Sequence, residues 1–257
     1  ESMDFDVVIV GAGPAGLAAA IRIKQMAAET GNDVSVVVLE KGSEVGAHIL
    51  SGAVMDPKAM DELIPDWKGK GCPFETAVTH DTFLVLGEQG SIPLPVFLMP
   101  PMLKNHGMYI GSLGNVTRWM AKQAEELGVE IYPGFAASDL TYREDGSIKG
   151  VIAGVMGIGK NGEPTSDYSP GMELNGKYVL IGEGVRGSLA KKLIKDFKLD
   201  KDSQPQKFGI GVKELWQIPA EQHKPGFVQH TFGWPLSNDT GGGTFMSKRA
   251  APPSILP

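Results

Sequence analysis

The spacing of apolar and polar positions changes period several times along the chain, and the first change falls at residue 11. Residues 6–10, DVVIV, form a β-branched run that stops at Gly11, as a strand buried on both faces would. The following GAGPAGLAAAIRIKQMA sets Leu17, Ile21 and Ile23 near helical spacing among alanines, so a helix is predicted. A turn over 30–33 leads into a second buried strand over 34–39 that ends at Glu40. A βαβ unit is the economical reading of these forty residues.

Beyond it the pattern is less regular. Residues 41–52 read as a Gly/Ser-punctuated loop, and Asp56-Pro57 opens a short helix through Leu63, since Asp caps and Pro suits a first turn. Residues 65–107 are dense in Pro and Gly and predict loops and short strands, with a proline-broken apolar stretch, IPLPVFLMPPML, over 92–103. A helix is predicted over 115–127, with Val116, Trp119, Met120 and Ala124 on one face and Gly128 ending it. A strand over 129–132 follows. Strands over 139–142 and 148–155 flank the hairpin signal Glu144-Asp145-Gly146. A strand over 178–181 runs into Gly182-Glu183-Gly184 and a helix over 188–197, and 209–215, 228–233 and 244–246 read as further strands.

The chemistry concentrates where the first strand meets the first helix. In Gly11-Ala12-Gly13-Pro14-Ala15-Gly16, Gly11 permits a tight turn, Gly13 a close approach of a pyrophosphate, and Gly16 close helix–strand packing. The helix start then offers amides and a positive dipole end to the phosphates. Glu40, at the end of the second strand, is placed to accept the hydroxyls of an adenosine ribose, and an acid there disfavours a 2′-phosphate. The competing reading of Glu40 is a solvated strand end.

Composition narrows the classes. Apolar residues make up 42% of 257, enough for a sizeable core, and a net charge of −6 argues against nucleic acid. Cys72 is the single cysteine, so the chain can form neither an internal disulfide nor a four-thiolate iron–sulfur cluster. No apolar run reaches the length of a bilayer span. The first strand begins so early that no signal or transit peptide is expected ahead of it. His48, His80, His106, His223 and His230 show no metal-ligand spacing, and no metal site is expected.

Longer stretches carry a resemblance. Glu40-Lys41-Gly42 followed by Gly46-Ala47-His48 resembles the second-strand exit of flavin disulfide-reductase and hydroxylase-type folds, and Gly182-Glu183-Gly184 resembles their second flavin motif. The runs EKGSEVGAHILSGAVMDPKAMDELIPDW, LGNVTRWMAKQAEELGVEIYPGFAA, GIGKNGEP, GEGVRGSLAKKL, FGIGVKELWQIP, HTFGWPL and GGGTF occur in order. Together they resemble the N-terminal part of electron-transfer flavoprotein–ubiquinone oxidoreductase over roughly residues 3–246.

That resemblance implies an α/β fold, a Rossmann-like FAD-binding domain of the glutathione-reductase/hydroxylase type with a partial mixed α+β quinone-binding domain. It assigns 1–80 and 107–200 to the FAD domain, 81–106 and 201–246 to the quinone domain, and 247–257 to an atypical tail. It implies FAD held by Gly11, Ala12, Gly13, Pro14, Ala15, Gly16 and Glu40, with Lys41, Gly46, Ala47, His48, Ser51, Gly52, Gly182, Glu183 and Gly184 around it. Gly242 and Gly243 fall at a quinone headgroup. The implied reaction takes electrons from reduced electron-transfer flavoprotein to ubiquinone. The implied location is the surface of a membrane, at the cytoplasmic face of a bacterial inner membrane or the matrix side of a mitochondrial one. Residues 47–67, including an apolar edge of Met60, Leu63 and Ile64, and 92–103 are the expected membrane contacts. Electron transfer itself needs no side-chain acid or base, and His48 is the one candidate for a proton role.

The departures are the family's [4Fe–4S] cysteines, its late flavin-binding segment and its second membrane-facing stretch. They suggest an N-terminal part ended early. A geranylgeranyl-reductase-like or hydroxylase-type flavoenzyme, and a non-catalytic FAD-binding fragment, are the alternatives.

Overall fold

The computed structural model of the chain describes residues 1–50, 52–74, 76–237 and 239–248. Its strands and helices, in order, are β1 (Ser2–Val10), α1 (Pro14–Thr30), β2 (Val36–Glu40), β3 (Ala53–Met55), α2 (Lys58–Leu63), β4 (Thr76–Ala77), β5 (His80–Gly87), β6 (Gly90–Leu94), β7 (Tyr109–Gly111) and α3 (Leu113–Glu126). There follow β8 (Glu130–Pro133), β9 (Ala137–Tyr142), β10 (Ile148–Ala153), β11 (Met156–Ile158), β12 (Pro164–Ser169), β13 (Met172–Ile181), α4 (Ser188–Phe197), β14 (Phe227–Gly233) and β15 (Gly243–Ser247). They fall into two compact units, one of Glu1–Leu50 with Leu113–Phe208 and the other of Ser51–Ser112 with Gly209–Pro257.

The first unit is built on a six-stranded sheet in the order β8-β2-β1-β13-β10-β9. β8, β2, β1 and β13 run parallel, while β10 and β9 are antiparallel additions. The β-branched residues of β1 and β2 explain the centre: Val8, Ile9, Val36, Val37 and Val38 are fully buried. A strand segment covered on both faces must be apolar at every position, which is why residues 7–10 and 36–39 read as unbroken runs. Phe5, Val10, Leu39, Leu140, Val151, Leu174 and Leu189 extend the core across the sheet and onto α4. Each such side chain contributes about 1.5–3 kcal/mol on burial. α1 starts after Gly13 with Pro14 in its first turn and stops at Gly31 in the left-handed conformation.

The second unit holds a four-stranded sheet, β15-β14-β5-β6, and a three-stranded one, β3-β7-β4. Val78, Ile110 and Val228 form its core. Trp67, Phe74 and Tyr109 pack as an aromatic cluster, and the indole of Trp67 donates to Asp61 Oδ1 at 2.6 Å.

Several expectations change. The units divide near residues 50 and 112, where the sequence reading divided at 80 and 106, because β3 and β4 both hydrogen-bond to β7 and keep 51–80 with the second unit. Residues 209–215 form no strand, since none of the described strands pairs with them, and alternation without a partner makes no sheet. The strand expected over 178–181 begins at Met172, and the exposed hairpin of β11 and β12 was not foreseen. The apolar edge expected on α2 points inward: Met60 and Ile64 are buried and Trp67 is only 3% exposed. The tail beyond residue 248 lies outside the described residues.

Candidate functional site

In the first unit the C-terminal ends of β1, β2 and β13 meet the N-terminus of α1, the place where open parallel sheets bind ligands. Gly11 has φ +106°, and its amide donates to Leu39 O at 2.8 Å. A Cβ on Gly11 would lie 2.4 Å from Gly182 O, and one on Gly16 would lie 2.0 Å from Gly11 O. Both glycines are therefore required by the packing of the fold itself. Gly13 is different. A Cβ there would meet nothing within 4 Å, and its φ of −75° is open to any residue. The internal packing does not call for a glycine at that position; a ligand brought against the backbone would.

The helix end above Gly13 is prepared for an anion. The first turn of α1 carries no acidic residue and no side-chain cap, so its amides and positive dipole end face outward. Glu40 secures the loop from the neighbouring strand. Its Oε2 accepts the Ala12 amide at 3.1 Å and its Oε1 accepts the Gly42 amide at 2.7 Å. A carboxylate has about four lone-pair sites, so it can hold both amides and still accept ribose hydroxyls.

The remaining predicted residues divide. Gly182 joins the cluster, its amide donating to Val10 O at 2.7 Å. Glu183 instead turns to α4 and accepts the Ala190 amide at 2.9 Å, which satisfies a helix-end donor. Gly184 has φ +81° with open space around it. Lys41, Ala47 and His48 are exposed. A Cβ on Gly46 would lie 2.8 Å from Gly114 O, so this loop is pressed against the start of α3. Ser51 lies outside the described residues, and Gly52 belongs to the second unit, where its carbonyl accepts Lys213 Nζ at 3.0 Å.

Gly242 and Gly243 are also in the second unit. Gly243 is the first residue of β15 opposite Phe232, and a Cβ on it would lie 2.2 Å from Thr231 O. Sequence reasoning missed two features. One is the tie between Gly134 and Gly42, whose backbones hydrogen-bond at 2.7 Å and brace the Glu40 loop from β8. The other is a half-buried network of Asp81, Asn105 and His230, with no sequence signal because the pairing of β5 with β14 and the loop ahead of β7 bring the three together. Cys72 is half-buried and desolvation pushes its thiol up to about 11, so it is not a reactive thiolate.

Over 243 residues the chain is 56% identical to the probable electron transfer flavoprotein-ubiquinone oxidoreductase of Acinetobacter baylyi. The chain's relatives are electron transfer flavoprotein–ubiquinone oxidoreductases. The protein of that name from Pseudomonas aeruginosa is 54% identical over 96% of the chain, and the mitochondrial one from Mus musculus 53% over 95%. The chain spans about two-fifths of their length, covering 42%, 45% and 39% of these three. An ETF-QO ubiquinone-binding family model matches residues 208–254, beyond residue 246 where the resemblance was expected to stop, and an NAD(P)-binding Rossmann-like model matches 9–75. Among solved structures, a geranylgeranyl bacteriochlorophyll reductase-like protein from Thermoplasma acidophilum aligns with a TM-score of 0.53 at 16% identity. It covers 91% of this chain and 51% of its own. PqsL of Pseudomonas aeruginosa, a probable FAD-dependent monooxygenase, aligns at 0.50 with 14% identity over 75% of this chain and 46% of its own. These likenesses establish the α/β, Rossmann-like fold.

Proposed function

We propose that the first unit binds FAD and that the chain is the FAD-proximal part of an enzyme carrying electrons from reduced electron-transfer flavoprotein to ubiquinone. The observation that carries this reading is identity above 50% to oxidoreductases of that name along almost the whole chain. The geometry is compatible with it, because Gly13 stands at the start of α1 with open space where a Cβ would be, room for a ligand to approach the backbone.

In this reading Gly11, Ala12, Gly13, Pro14, Ala15 and Gly16 present backbone amides to the pyrophosphate, and Glu40 accepts the adenosine ribose hydroxyls. Gly182 and Gly184 line the far side of the same crevice, with Lys41, Gly46, Ala47 and His48 assigned to the loop beside the cofactor. When bound, FAD supplies the redox chemistry. The chain's own residues position it and fix its charge environment. Glu40 braces the loop and recognises the sugar, and Glu183 holds the start of α4 beside Gly184. A [4Fe–4S] cluster is expected in the full-length family, but the single Cys72 cannot ligate one, and no step here depends on it.

The second unit contributes the quinone side, at Gly242 and Gly243, and the contact with the membrane surface. None of the described helices is long and apolar enough to cross a membrane. The segment 92–103 is instead a proline-stiffened lip of two 3₁₀ turns, Val96–Leu98 and Pro101–Leu103, with Phe97 76% and Met102 80% exposed. Exposed apolar side chains clustered at one loop are costly in water and suit the acyl boundary of a bilayer. With Met60 and Ile64 buried, the contact rests on 92–103. The surface concerned is the cytoplasmic face of a bacterial inner membrane or the matrix side of a mitochondrial one. The geranylgeranyl-reductase-like alternative rests on likeness of fold alone.

The test is to load the purified chain with FAD, mix it with reduced electron-transfer flavoprotein and follow the flavin spectrum before and after ubiquinone-1. Bleaching followed by recovery is the expected result. A flavin that is bound yet inert to both partners would leave only the FAD-binding reading standing.

A further inference from the structure

One face of the β15-β14-β5-β6 sheet carries a polar group set among aromatics. His230 on β14 is paired across the ladders with Phe83 on β5 and Phe245 on β15. Its ring stacks on Phe83 at 4.5 Å between centroids and 13° between planes, and meets Phe245 at 5.1 Å. The Asn105 side-chain amide lies 3.0 Å from His230 Nε2 and donates to Asp81 Oδ2 at 3.0 Å. The Asn105 backbone amide donates to the same Asp81 oxygen at 2.8 Å.

These contacts determine the tautomer. An ionised carboxylate only accepts, so Asn105 presents its amide nitrogen to Asp81; the second hydrogen on that nitrogen has His230 Nε2 at 3.0 Å and Leu103 O only at 3.5 Å, and the nearer imidazole nitrogen takes it. Nε2 is then the acceptor and the imidazole proton resides on Nδ1. Burial lowers the pKa of His230, with the Asp81 charge opposing, so the ring is neutral at neutral pH. Among the described residues nothing accepts from Nδ1. Two positions along the same face lie Phe232, 41% exposed, and Gly243, while Phe245 is 45% exposed. The face is therefore half-open and lined mainly by aromatic rings, with one oriented N–H donor.

We propose that His230 Nδ1–H donates a hydrogen bond to a carbonyl oxygen of a benzoquinone ring bound on this face, with Asn105 and Asp81 as positioning residues that fix the tautomer. The proposal rests on the quinone reading of the second unit, which the ubiquinone-binding match over 208–254 supports and which names no side chain. Reduction of a quinone builds negative charge on its oxygens, so a pre-oriented donor interacts more strongly with the reduced ring than with the oxidised one.

The experiment uses the whole chain and ubiquinone-1 carrying ¹³C at one carbonyl. Infrared difference spectra should show a lowered stretch for one bound carbonyl. His230→Phe, which keeps the aromatic stack, should abolish that lowering and weaken ubiquinone-1 binding about tenfold. In ¹⁵N spectra the wild-type ring should be the Nδ1–H tautomer, and Asn105→Leu should convert it to a mixture, a change that a purely structural Asn105 would not produce. A carbonyl shift and affinity retained in folded His230→Phe would overturn this proposal while leaving the quinone reading intact. Failure of the wild-type chain to bind ubiquinone-1 would overturn both.

Discussion

The Glu40 carboxylate accepts the Ala12 amide at 3.1 Å, so the last residue of β2 holds the Gly-rich loop that leads from β1 into α1. Glu40 accepts the Gly42 amide as well, which makes one side chain the tie between two loops at the strand ends. Its position serves the fold, and in the proposed reading the ribose of the cofactor as well.

Glu40→Ala should lower stability by about 1–3 kcal/mol, because two part-buried amides lose their acceptor. FAD affinity should fall as well, by more than the stability loss alone would cause. Thermal unfolding with and without FAD separates the two effects.

The glycines of the fingerprint should separate by role. Gly16→Ala drives a methyl into the Gly11 carbonyl and should cost about 1–3 kcal/mol or prevent folding. Gly13→Ala enters open space and should leave stability within about 0.5 kcal/mol of wild type while weakening FAD binding. Denaturant unfolding and FAD titration of the same two variants check both halves of this statement.

Midway along β1, Asp6 links Ser35, the residue before β2, to Lys177 on β13. Its carboxyl is held down at about 2, first by the hydrogen bond from Lys177 and then by the amide and hydroxyl of Ser35. A depressed carboxyl contributes stability that is fully present above its unfolded value of 3.8 and is lost as pH falls through about 2. The raised Lys177 contributes stability present below 10.5 and lost as pH climbs past its folded value. Acid unfolding of wild type and Asp6→Asn should therefore differ above about pH 4 and converge near pH 2.

Phe97→Ser with Met102→Ser should leave folding unchanged, since both side chains are exposed, yet reduce binding to phosphatidylcholine vesicles at least about tenfold. Co-sedimentation measures it. Undiminished vesicle binding would remove 92–103 as the membrane contact.

How much of this was legible in the sequence follows from where burial and pairing act. β1 and β2 were visible because residues 7–10 and 36–39 are buried and apolar at every position. The start of β13 and the β11–β12 hairpin were not, since MELNGK and PTSDYS are mixed or polar and are held by backbone pairing. GIGVKEL alternates as a strand should, but alternation does not supply a partner. The dinucleotide loop was readable because Gly11 to Gly16 is a local motif. His230, Asn105 and Asp81 are far apart in sequence and become neighbours only through the parallel pairing of β14 with β5. The burial of Met60 and Ile64 was equally hidden, since an apolar helix edge looks the same facing a core or a membrane.

The most direct test of the central claim is a fluorescence titration of the purified chain with FAD and, separately, with riboflavin, for wild type and Gly13→Val. FAD should bind wild type at least about a hundredfold more tightly than riboflavin if the grip lies on the pyrophosphate and ribose. Gly13→Val should erase that difference. Equal affinity for the two flavins, or FAD binding untouched by the valine, would contradict the claim.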